Sequence, residues 1–178
     1  MVEATTRKNG TVEETILRRL TPGRRVLDVG CANGRLTVAL AQRAAARATG
    51  VDVSDASFPA ARRAAREAGI SRRMPCLKGD AHHMFFIKDG SLDAAIVVDT
   101  LHHLERPGQV LTEVHRVLRR GGEVMLAEMD REPGEPIRSC QRFTRDEIMA
   151  MLLEAGFRDV ELELTETLYL VAIARKGL

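Results

Sequence analysis

Residues 26–37 combine an apolar run, a glycine-rich turn and the first residues of a helical pattern: Val26-Leu27-Asp28-Val29-Gly30-Cys31-Ala32-Asn33-Gly34-Arg35-Leu36-Thr37. The first four residues are mostly apolar, and after Gly34 the apolar residues take helical spacing. We therefore predict a buried strand, a turn and a helix. Such a unit directs backbone N–H groups and the positive end of a helix toward the carboxyl edge of a sheet, where a polar small molecule binds.

Two glycine patterns compete for this turn. The dinucleotide-binding pattern G-x-G-x-x-G would place its glycines at Gly30, Ala32 and Arg35, and only Gly30 fits. The pattern D-x-G-x-G-x-G falls on Asp28, Gly30, Ala32 and Gly34 and matches at three of these four positions. We expect an extended backbone at Ala32, where a methyl group needs no positive φ. The second pattern is favoured, and a nicotinamide oxidoreductase is not.

The second pattern is typical of the class I S-adenosylmethionine-dependent methyltransferases, whose first motif resembles residues 26–34. Residues 80–104 resemble the small-molecule, methyltransferase-11-like branch of that family, particularly at 89–93 and 101–104. Asp52 follows the turn by about twenty residues, as the family's second acidic position does. The resemblance extends from residue 24 to residue 176. It implies S-adenosylmethionine as cofactor and S-adenosylhomocysteine as product.

Composition excludes several other classes. A chain of 178 residues that is 44% hydrophobic fits one domain with a full core. A net charge of +2 and an aromatic content of 3% without tryptophan argue against a nucleic-acid partner. No apolar run reaches the roughly 18–20 residues that span a bilayer. The first eight residues lack a signal-peptide core, so we expect no membrane partner and a cytoplasmic location.

The three cysteines, Cys31, Cys76 and Cys140, are odd in number and widely separated. They are interpreted as reduced thiols rather than as a disulfide framework or a zinc site. Their spacing gives little support to a soft metalloid as methyl acceptor.

Strands and helices alternate along residues 25–129, and two strands joined around 165–167 form a closing hairpin. This alternation predicts a parallel sheet with helices on both faces, an α/β fold. The resemblance implies a single doubly wound, Rossmann-like sheet of seven strands in the order 3-2-1-4-5-7-6, with strand 7 antiparallel. We assign residues 1–23 to an N-terminal segment with a short helix and residues 24–178 to the S-adenosylmethionine-binding methyltransferase domain.

Several helix ends have local signals. Capping boxes begin helices after Thr11 and Thr144. Ser54 or Asp55 is expected to cap the helix that carries Pro59 in its first turn. Gly121 is expected to close the helix that begins near residue 107.

Acidic residues follow four neighbouring predicted strands: Asp28, Asp52, Asp80 and Asp99. Ligands in such sheets bind beyond the carboxyl ends of the strands. Asp52 can accept from both ribose hydroxyls, each charge-assisted bond contributing roughly 1.5–3 kcal/mol, although a helix N-cap is the alternative. The resemblance implies that Asp80 accepts from the adenine amino group and that the Ala81 backbone frames the ring.

The remaining cofactor residues surround the methionine part of the ligand. Asp28 is expected to brace the turn by accepting its N–H groups and to orient the methionine amino group, while Asp99 and Thr100 line the methionine side. The full predicted cofactor set is Asp28, Gly30, Cys31, Ala32, Gly34, Asp52, Val53, Asp80, Ala81, Asp99 and Thr100.

The sequence contains two pairs of adjacent histidines, His82-His83 and His102-His103. Adjacent histidines lack the i, i+4 spacing of helical metal sites, so no metal site is expected. His103 is the candidate catalytic residue, as a general base facing the methyl group, with His102 as the neighbouring candidate. The alternative is that both histidines are structural, one packed under the next helix and the other bonded to backbone.

Methyl transfer is an in-line displacement that depends mainly on alignment, so a base is needed only where the acceptor must lose a proton. A small molecule is the favoured acceptor, and a protein side chain is second. Residues 99–102 are not the D/N-P-P-Y/F sequence of exocyclic-amine methylation in nucleic acids. Because the segment 130–142 is short, the acceptor site is expected to be open or to be completed by a second copy in a homodimer or by a partner subunit.

Three other classes stay open. A nicotinamide oxidoreductase would need the glycine pattern that Ala32 and Arg35 interrupt. A catalytically silent S-adenosylmethionine-binding subunit would keep Asp52 and Asp80 and lack turnover. An aminopropyltransferase would share the fold, but no dedicated acidic cluster follows the fourth strand.

Overall fold

One sheet of eight strands organises residues 6–7, 10–44, 46–130 and 142–178, which the computed structural model describes. The strands lie side by side in the order β1-β7-β8-β6-β5-β2-β3-β4. In chain order they are β1 (Thr6–Arg7), β2 (Arg25–Val29), β3 (Arg47–Asp52), β4 (Cys76–Lys78), β5 (Leu92–Val98), β6 (Leu118–Met129), β7 (Phe157–Leu164) and β8 (Tyr169–Lys176).

The strand order confirms the predicted sheet. Counted from β2 as the first strand, it reads 3-2-1-4-5-7-6, and β8 runs antiparallel to both β6 and β7. The additional strand β1 pairs in parallel with the edge strand β7, with Thr6 opposite Glu163. A strand of two residues is too short to show an alternating pattern, so β1 was not predicted.

Helices within the described residues are α1 (Val12–Arg19), α2 (Arg35–Arg43), α3 (Phe58–Glu67), α4 (Pro107–Val117) and α5 (Arg145–Glu154). Both predicted capping boxes are present, at Thr11 and Thr144. No helix in these ranges is long and apolar enough to cross a bilayer. The division between residues 1–23 and 24–178 stays a prediction.

The start of α3 differs from the prediction. Its N-cap is Ser57, so the assignment to Ser54 or Asp55 is wrong. The Ser54 backbone N–H donates to the Asp52 carboxylate, and Asp55 forms an ion pair with Lys78 at 3.0 Å. Because both candidates are engaged in the loop after β3, the helix begins later.

The end of α4 also differs. The helix ends at Val117, and the backbone N–H of Leu118 bonds to the carbonyl of Val114. Gly121 is therefore not a C-cap: it lies inside β6 with a φ of 68°. The pairing of β5 with β6 is irregular there, because the register shifts between Leu92 and Ala94. A positive φ suits such an irregularity as well as it suits a helix end.

Two apolar clusters cover the two faces of the sheet. In the central strand β5, Ala95 and Val97 pack into one cluster, whereas Ala94 and Ile96 pack into the other. All four side chains are fully buried, as the continuously apolar sequence predicts for a strand covered on both faces. This arrangement fixes the carboxyl ends of the central strands at one edge.

Candidate active site

A cavity of about 590 Å³ lies beyond the carboxyl ends of β2, β3, β4 and β5. The cavity lies at the edge of the sheet where the sequence predicted ligand binding. The roles of individual residues at this edge stay predictions. Asp28, Cys31 and Gly34 do not line this cavity. The predicted site residues that do line it are Gly30, Ala32, Asp52, Val53, Asp80, Ala81, Asp99, Thr100 and His103.

Asp52 holds the turn of residues 30–34 against β3. Its Oδ2 accepts the backbone N–H of Ala32 at 2.9 Å, and its Oδ1 accepts that of Ser54 at 2.9 Å. A carboxylate has about four lone-pair positions, so both oxygens can accept a further proton. Asp52 can therefore brace the turn and bind hydroxyl groups of a ligand at the same time.

Asp28 is buried below the cavity. Its Oδ2 accepts the hydroxyl proton of Thr37 at 2.5 Å, which joins β2 to α2. Burial raises the pKa of Asp28 to about 6, and the charge of Asp52 adds to this shift while the Thr37 hydroxyl opposes it. The expected bracing of the turn is thus provided by Asp52, because Asp28 lies on the face of β2 that packs against α2. Its contact with a methionine amino group stays a prediction.

Gly30 and Gly34 allow the turn to pack closely. They have φ values of 73° and 74°, and a Cβ at Gly30 would overlap the side chain of Thr100. A Cβ at Gly34 would lie 2.7 Å from the Cβ of Ala61 on α3. Both positions therefore require glycine for conformation and for space.

Ala32 does not take the expected extended backbone. Its φ is 44°, in the left-handed region, so that expectation is wrong. This conformation costs an L-residue roughly 1–2 kcal/mol. The hydrogen bond from Ala32 to Asp52 holds the backbone there, so a small strain is kept at the rim of the cavity.

Asp80 and His82 form the part of the cavity wall that follows β4. Oδ1 of Asp80 accepts the backbone N–H of His82 at 2.8 Å and lies 2.7 Å from its ring Nδ1. The backbone bond first, and the ring second, lower the pKa of Asp80. Nε2 of His82 is buried without a hydrogen-bond partner among the described residues. The lowered pKa keeps the Asp80 carboxylate ionised, so it can accept a hydrogen bond from a polar ligand such as a nucleoside.

Glu128 at the end of β6 organises the loop after β5. Its Oε1 accepts the backbone N–H groups of Thr100 at 2.9 Å and Leu101 at 2.7 Å, and its Oε2 lies 2.6 Å from Nδ1 of His102. Because an ionised carboxylate can only accept, Nδ1 of His102 carries the proton and Nε2 keeps a lone pair when the ring is neutral. The pair is therefore built to accept a proton at Nε2.

The sequence did contain a signal for Glu128. It is 3% exposed within the apolar run of residues 124–129, and a charged residue in such a strand needs buried partners. Glu128 was not among the predicted site residues, because the prediction included only acidic residues that follow the first four strands. Tyr169 was also missed, because only the tertiary structure brings β8 next to β6.

A smaller cavity, of about 270 Å³, shares Asp99 with the first, and a third cavity, of about 450 Å³, is lined by Asp99 and Tyr169 as well. The hydroxyl of Tyr169 donates to Oδ2 of Asp99 at 3.0 Å. His103 lies on the larger cavity, whereas His102 lies on the smaller one, with 3.9 Å between the two ring centroids. The smaller cavity is lined by Asp99, His102, Glu128, Met129, Arg142 and Tyr169.

Asp99, His102 and Glu128 also bring three potential metal ligands within 4.8 Å of one another. Yet the 2.6 Å between Glu128 Oε2 and His102 Nδ1 is a hydrogen-bond distance. Two neighbouring ligands of an octahedral ion with bonds of 2.0–2.1 Å lie ~3 Å apart. We therefore interpret the group as a hydrogen-bonded carboxylate–histidine pair beside Asp99.

The expected acceptor segment, residues 130–142, lies almost entirely outside the described residues, as does Cys140. The prediction of an open or partner-completed acceptor site therefore falls outside the described part of the chain.

Comparison with known proteins agrees with this geometry. The methyltransferase domain family matches residues 27–126. The ubiquinone biosynthesis O-methyltransferase of Pseudomonas aeruginosa is 33% identical over 111 residues, which are 62% of this chain and 47% of that protein. The chain spans about half the length of the first curated relatives that it matches.

Solved structures share the fold. The [4+2]-cyclase SpnF has a TM-score of 0.84 at 22% identity, with 94% of this chain and 81% of that chain covered. A Haemonchus contortus N-methyltransferase in complex with phosphomonomethylethanolamine and S-adenosylhomocysteine has a TM-score of 0.81 at 16% identity, with 93% and 52% covered. Because the family match extends over more than half of the residues, this chain belongs to the class I S-adenosylmethionine-dependent methyltransferases.

Proposed function

We propose that this chain transfers a methyl group from S-adenosylmethionine to a hydroxyl oxygen of a small molecule by in-line displacement. The observation that carries the proposal is the meeting of two cavities at Asp99, one beside the Asp52-braced turn and one beside the His102–Glu128 pair. The relation to an O-methyltransferase supports a hydroxyl acceptor.

The larger cavity fits the cofactor. Asp52 would accept from the ribose hydroxyls with its remaining lone pairs, and Asp80 would meet the adenine edge. The exposed side chain of Val53 would cover one face of the base, since it lines the cavity and is 72% exposed. The cofactor, when bound, supplies an activated methyl group, and the protein supplies alignment and exclusion of water.

The smaller cavity fits the acceptor. Nε2 of His102 would accept the proton that the hydroxyl loses, and Glu128 would stabilise the imidazolium that forms. The carboxylate of Asp99 is held by Tyr169 between the two cavities. The negative charge of Asp99 would attract the positively charged sulfonium group of S-adenosylmethionine more strongly than a neutral ligand.

Two neighbouring histidines are candidates for the general base. The sequence favoured His103, which lines the larger cavity, and this stays a prediction. We favour His102, because its ring has a fixed tautomer through the buried Glu128. His102→Gln and His103→Gln, measured side by side, separate the two assignments.

Two alternative functions are tested together with the proposed one. The SpnF structure is described as a cyclase, so the fold can support functions other than methyl transfer. A catalytically silent cofactor-binding subunit with a partner or a second copy is therefore the first alternative, and a protein side-chain methyltransferase is the second. The cytoplasmic location stays a prediction.

The test is methyl transfer from isotopically labelled S-adenosylmethionine to 3,4-dihydroxybenzoate and resorcinol, with casein as a protein acceptor. Mass spectrometry of the products should find O-methylated phenol, and His102→Gln should remove most of the turnover while leaving S-adenosylhomocysteine binding intact. Label found only in casein contradicts the proposal. Binding of the cofactor with no transfer to any of the three supports the silent subunit instead.

A further inference from the structure

Two cysteines lie next to each other beneath the turn. The register pairs Gly50 of β3 with Cys76 of β4, and a Cβ at Gly50 would lie 2.7 Å from Sγ of Cys31. Cys31 therefore covers Gly50 beside Cys76, and each thiol shifts the pKa of the other. The proposed methyl transfer gives this pair no role.

We propose that Cys31 and Cys76 are a redox-sensitive pair that hydrogen peroxide converts to an intramolecular disulfide, and that this bond weakens cofactor binding. The formation of the bond is independent of the proposed function. Only its consequence rests on the use of S-adenosylmethionine, so the two parts are measured separately.

The two thiols differ in exposure and in acidity. Cys31 is buried, whereas Cys76 is half-buried and within reach of an oxidant. The neighbouring thiol of Cys31 lowers the pKa of Cys76, and the positive charge of Arg62 adds to this. The thiol of Cys76 and burial raise the pKa of Cys31. Cys76 is therefore the thiol that ionises first and attacks the oxidant.

The chemistry balances with one peroxide for two thiols. The Cys76 thiolate attacks one peroxide oxygen, the O–O bond breaks, and Cys76 sulfenic acid and hydroxide form. The sulfur of Cys31 then attacks the sulfenic sulfur, the S–O bond breaks, and water leaves with the Cys31 proton. The hydroxide takes up the proton that Cys76 had lost, so two thiols are oxidised and one peroxide is reduced to two waters.

The consequence follows from the position of Cys31 between Gly30 and Ala32. The backbone N–H groups of Gly30 and Cys31 donate to the carbonyl of Val51 at 2.8 and 3.1 Å, so the turn has a defined place above β3. A disulfide has an S–S length of about 2.05 Å, shorter than any hydrogen-bonded pair of thiols. Its formation pulls the turn toward β4 and disturbs the bond from Ala32 to Asp52.

The experiment uses the full chain with Cys140→Ser, so that only Cys31 and Cys76 remain. After treatment with one equivalent of hydrogen peroxide, we expect both thiols to become untitratable and the mass to fall by about 2 Da. We expect the affinity for S-adenosylhomocysteine to fall roughly tenfold and to return with dithiothreitol. Bound S-adenosylhomocysteine should slow the oxidation, because the coupling is reciprocal.

The matched control adds Cys76→Ser, with Cys76→Val as a second variant that suits a strand if the serine variant folds poorly. Neither control should lose affinity on oxidation. The proposal is overturned if both thiols stay titratable, if the disulfide joins two chains, or if the controls lose affinity as the parent does. Failure of the reduced protein to bind S-adenosylhomocysteine refutes the proposed function and the cofactor consequence, while the thiol titration still tests the disulfide.

Discussion

The edge of the sheet at the carboxyl ends of the strands has two halves that are built differently. On the turn side, defined as residues 30–34 with Asp52, short backbone segments bond to one another across β2 and β3. On the histidine side, defined as Asp99, His102, Glu128 and Tyr169, side chains from the loop after β5 meet side chains from β6 and β8. The difference supports the proposal that the turn side holds the cofactor, whereas the histidine side would carry the chemistry that distinguishes one acceptor from another.

The largest expected effect comes from filling the space at Gly30. In Gly30→Ala the new Cβ overlaps Thr100 at a positive φ, so we expect the free energy of unfolding to fall by about 3 kcal/mol and S-adenosylhomocysteine binding to be lost. Urea unfolding and calorimetry measure the two effects. Gly69→Ala is the control, because its φ is 67° and nothing lies within 4 Å of the new Cβ. Equal losses in the two variants contradict the close packing of the turn.

On the histidine side, Glu128→Gln replaces the carboxylate with an amide of nearly the same size and shape. The amide oxygen can still accept from Thr100 and Leu101, but the amide N–H donates to Nδ1 of His102 and moves the ring proton to Nε2. We expect the rate of methyl transfer to fall roughly 10²–10⁴-fold with unchanged S-adenosylhomocysteine affinity.

Nitrogen NMR of the imidazole measures this tautomer without any acceptor. Glu123→Gln is the control in the same strand, since Glu123 pairs with Arg24 and Arg175. A protonated Nε2 in the wild-type ring, or a similar loss of rate in both variants, counts against the carboxylate–histidine pair.

A third prediction concerns pH. The pKa of Asp28 is about 6 in the folded chain, against about 3.9 in an unfolded chain. Its contribution to stability is fully present below about pH 4 and is lost as the pH rises through 6, because the unfolded state ionises first. The loss amounts to about 3 kcal/mol at most.

Asp28→Asn removes the pH-dependent contribution of this residue to stability and keeps an acceptor for the Thr37 hydroxyl. The free energy of unfolding of the variant, minus that of the wild type, should therefore rise between about pH 4 and 6 and then level off. Urea titrations across this range measure the difference. A difference that is flat or falls with pH shows that Asp28 is not a buried, hard-to-ionise group.

The smallest expected effect is at Ala32. Ala32→Gly relieves the left-handed conformation of this residue, and we expect the free energy of unfolding to rise by about 0.5–1 kcal/mol. Affinity for S-adenosylhomocysteine should change little, since the backbone N–H that donates to Asp52 is kept. Thermal and urea unfolding measure the gain, and a destabilised variant would show that Ala32 bears no strain.

The same contrast explains what the sequence could predict. Gly30 and Asp52 belong to a local motif, and the alternation of strands and helices predicted the parallel sheet, whereas its strand order was implied by the family resemblance. The His102–Glu128 bond joins residues 26 positions apart, and the Tyr169–Asp99 bond joins residues 70 positions apart. No local pattern records such a pair. The φ of Ala32 was missed because a tertiary bond to Asp52 overrides its intrinsic preference.

The most direct test of the central claim is calorimetry of the wild type and Asp52→Ala with S-adenosylhomocysteine, with NAD as the control ligand. We expect the wild type to bind S-adenosylhomocysteine with micromolar affinity and not NAD, and Asp52→Ala to lose this binding while remaining folded. Binding of NAD, or unchanged S-adenosylhomocysteine affinity in Asp52→Ala, would contradict the assignment of the Asp52-braced turn as the cofactor site.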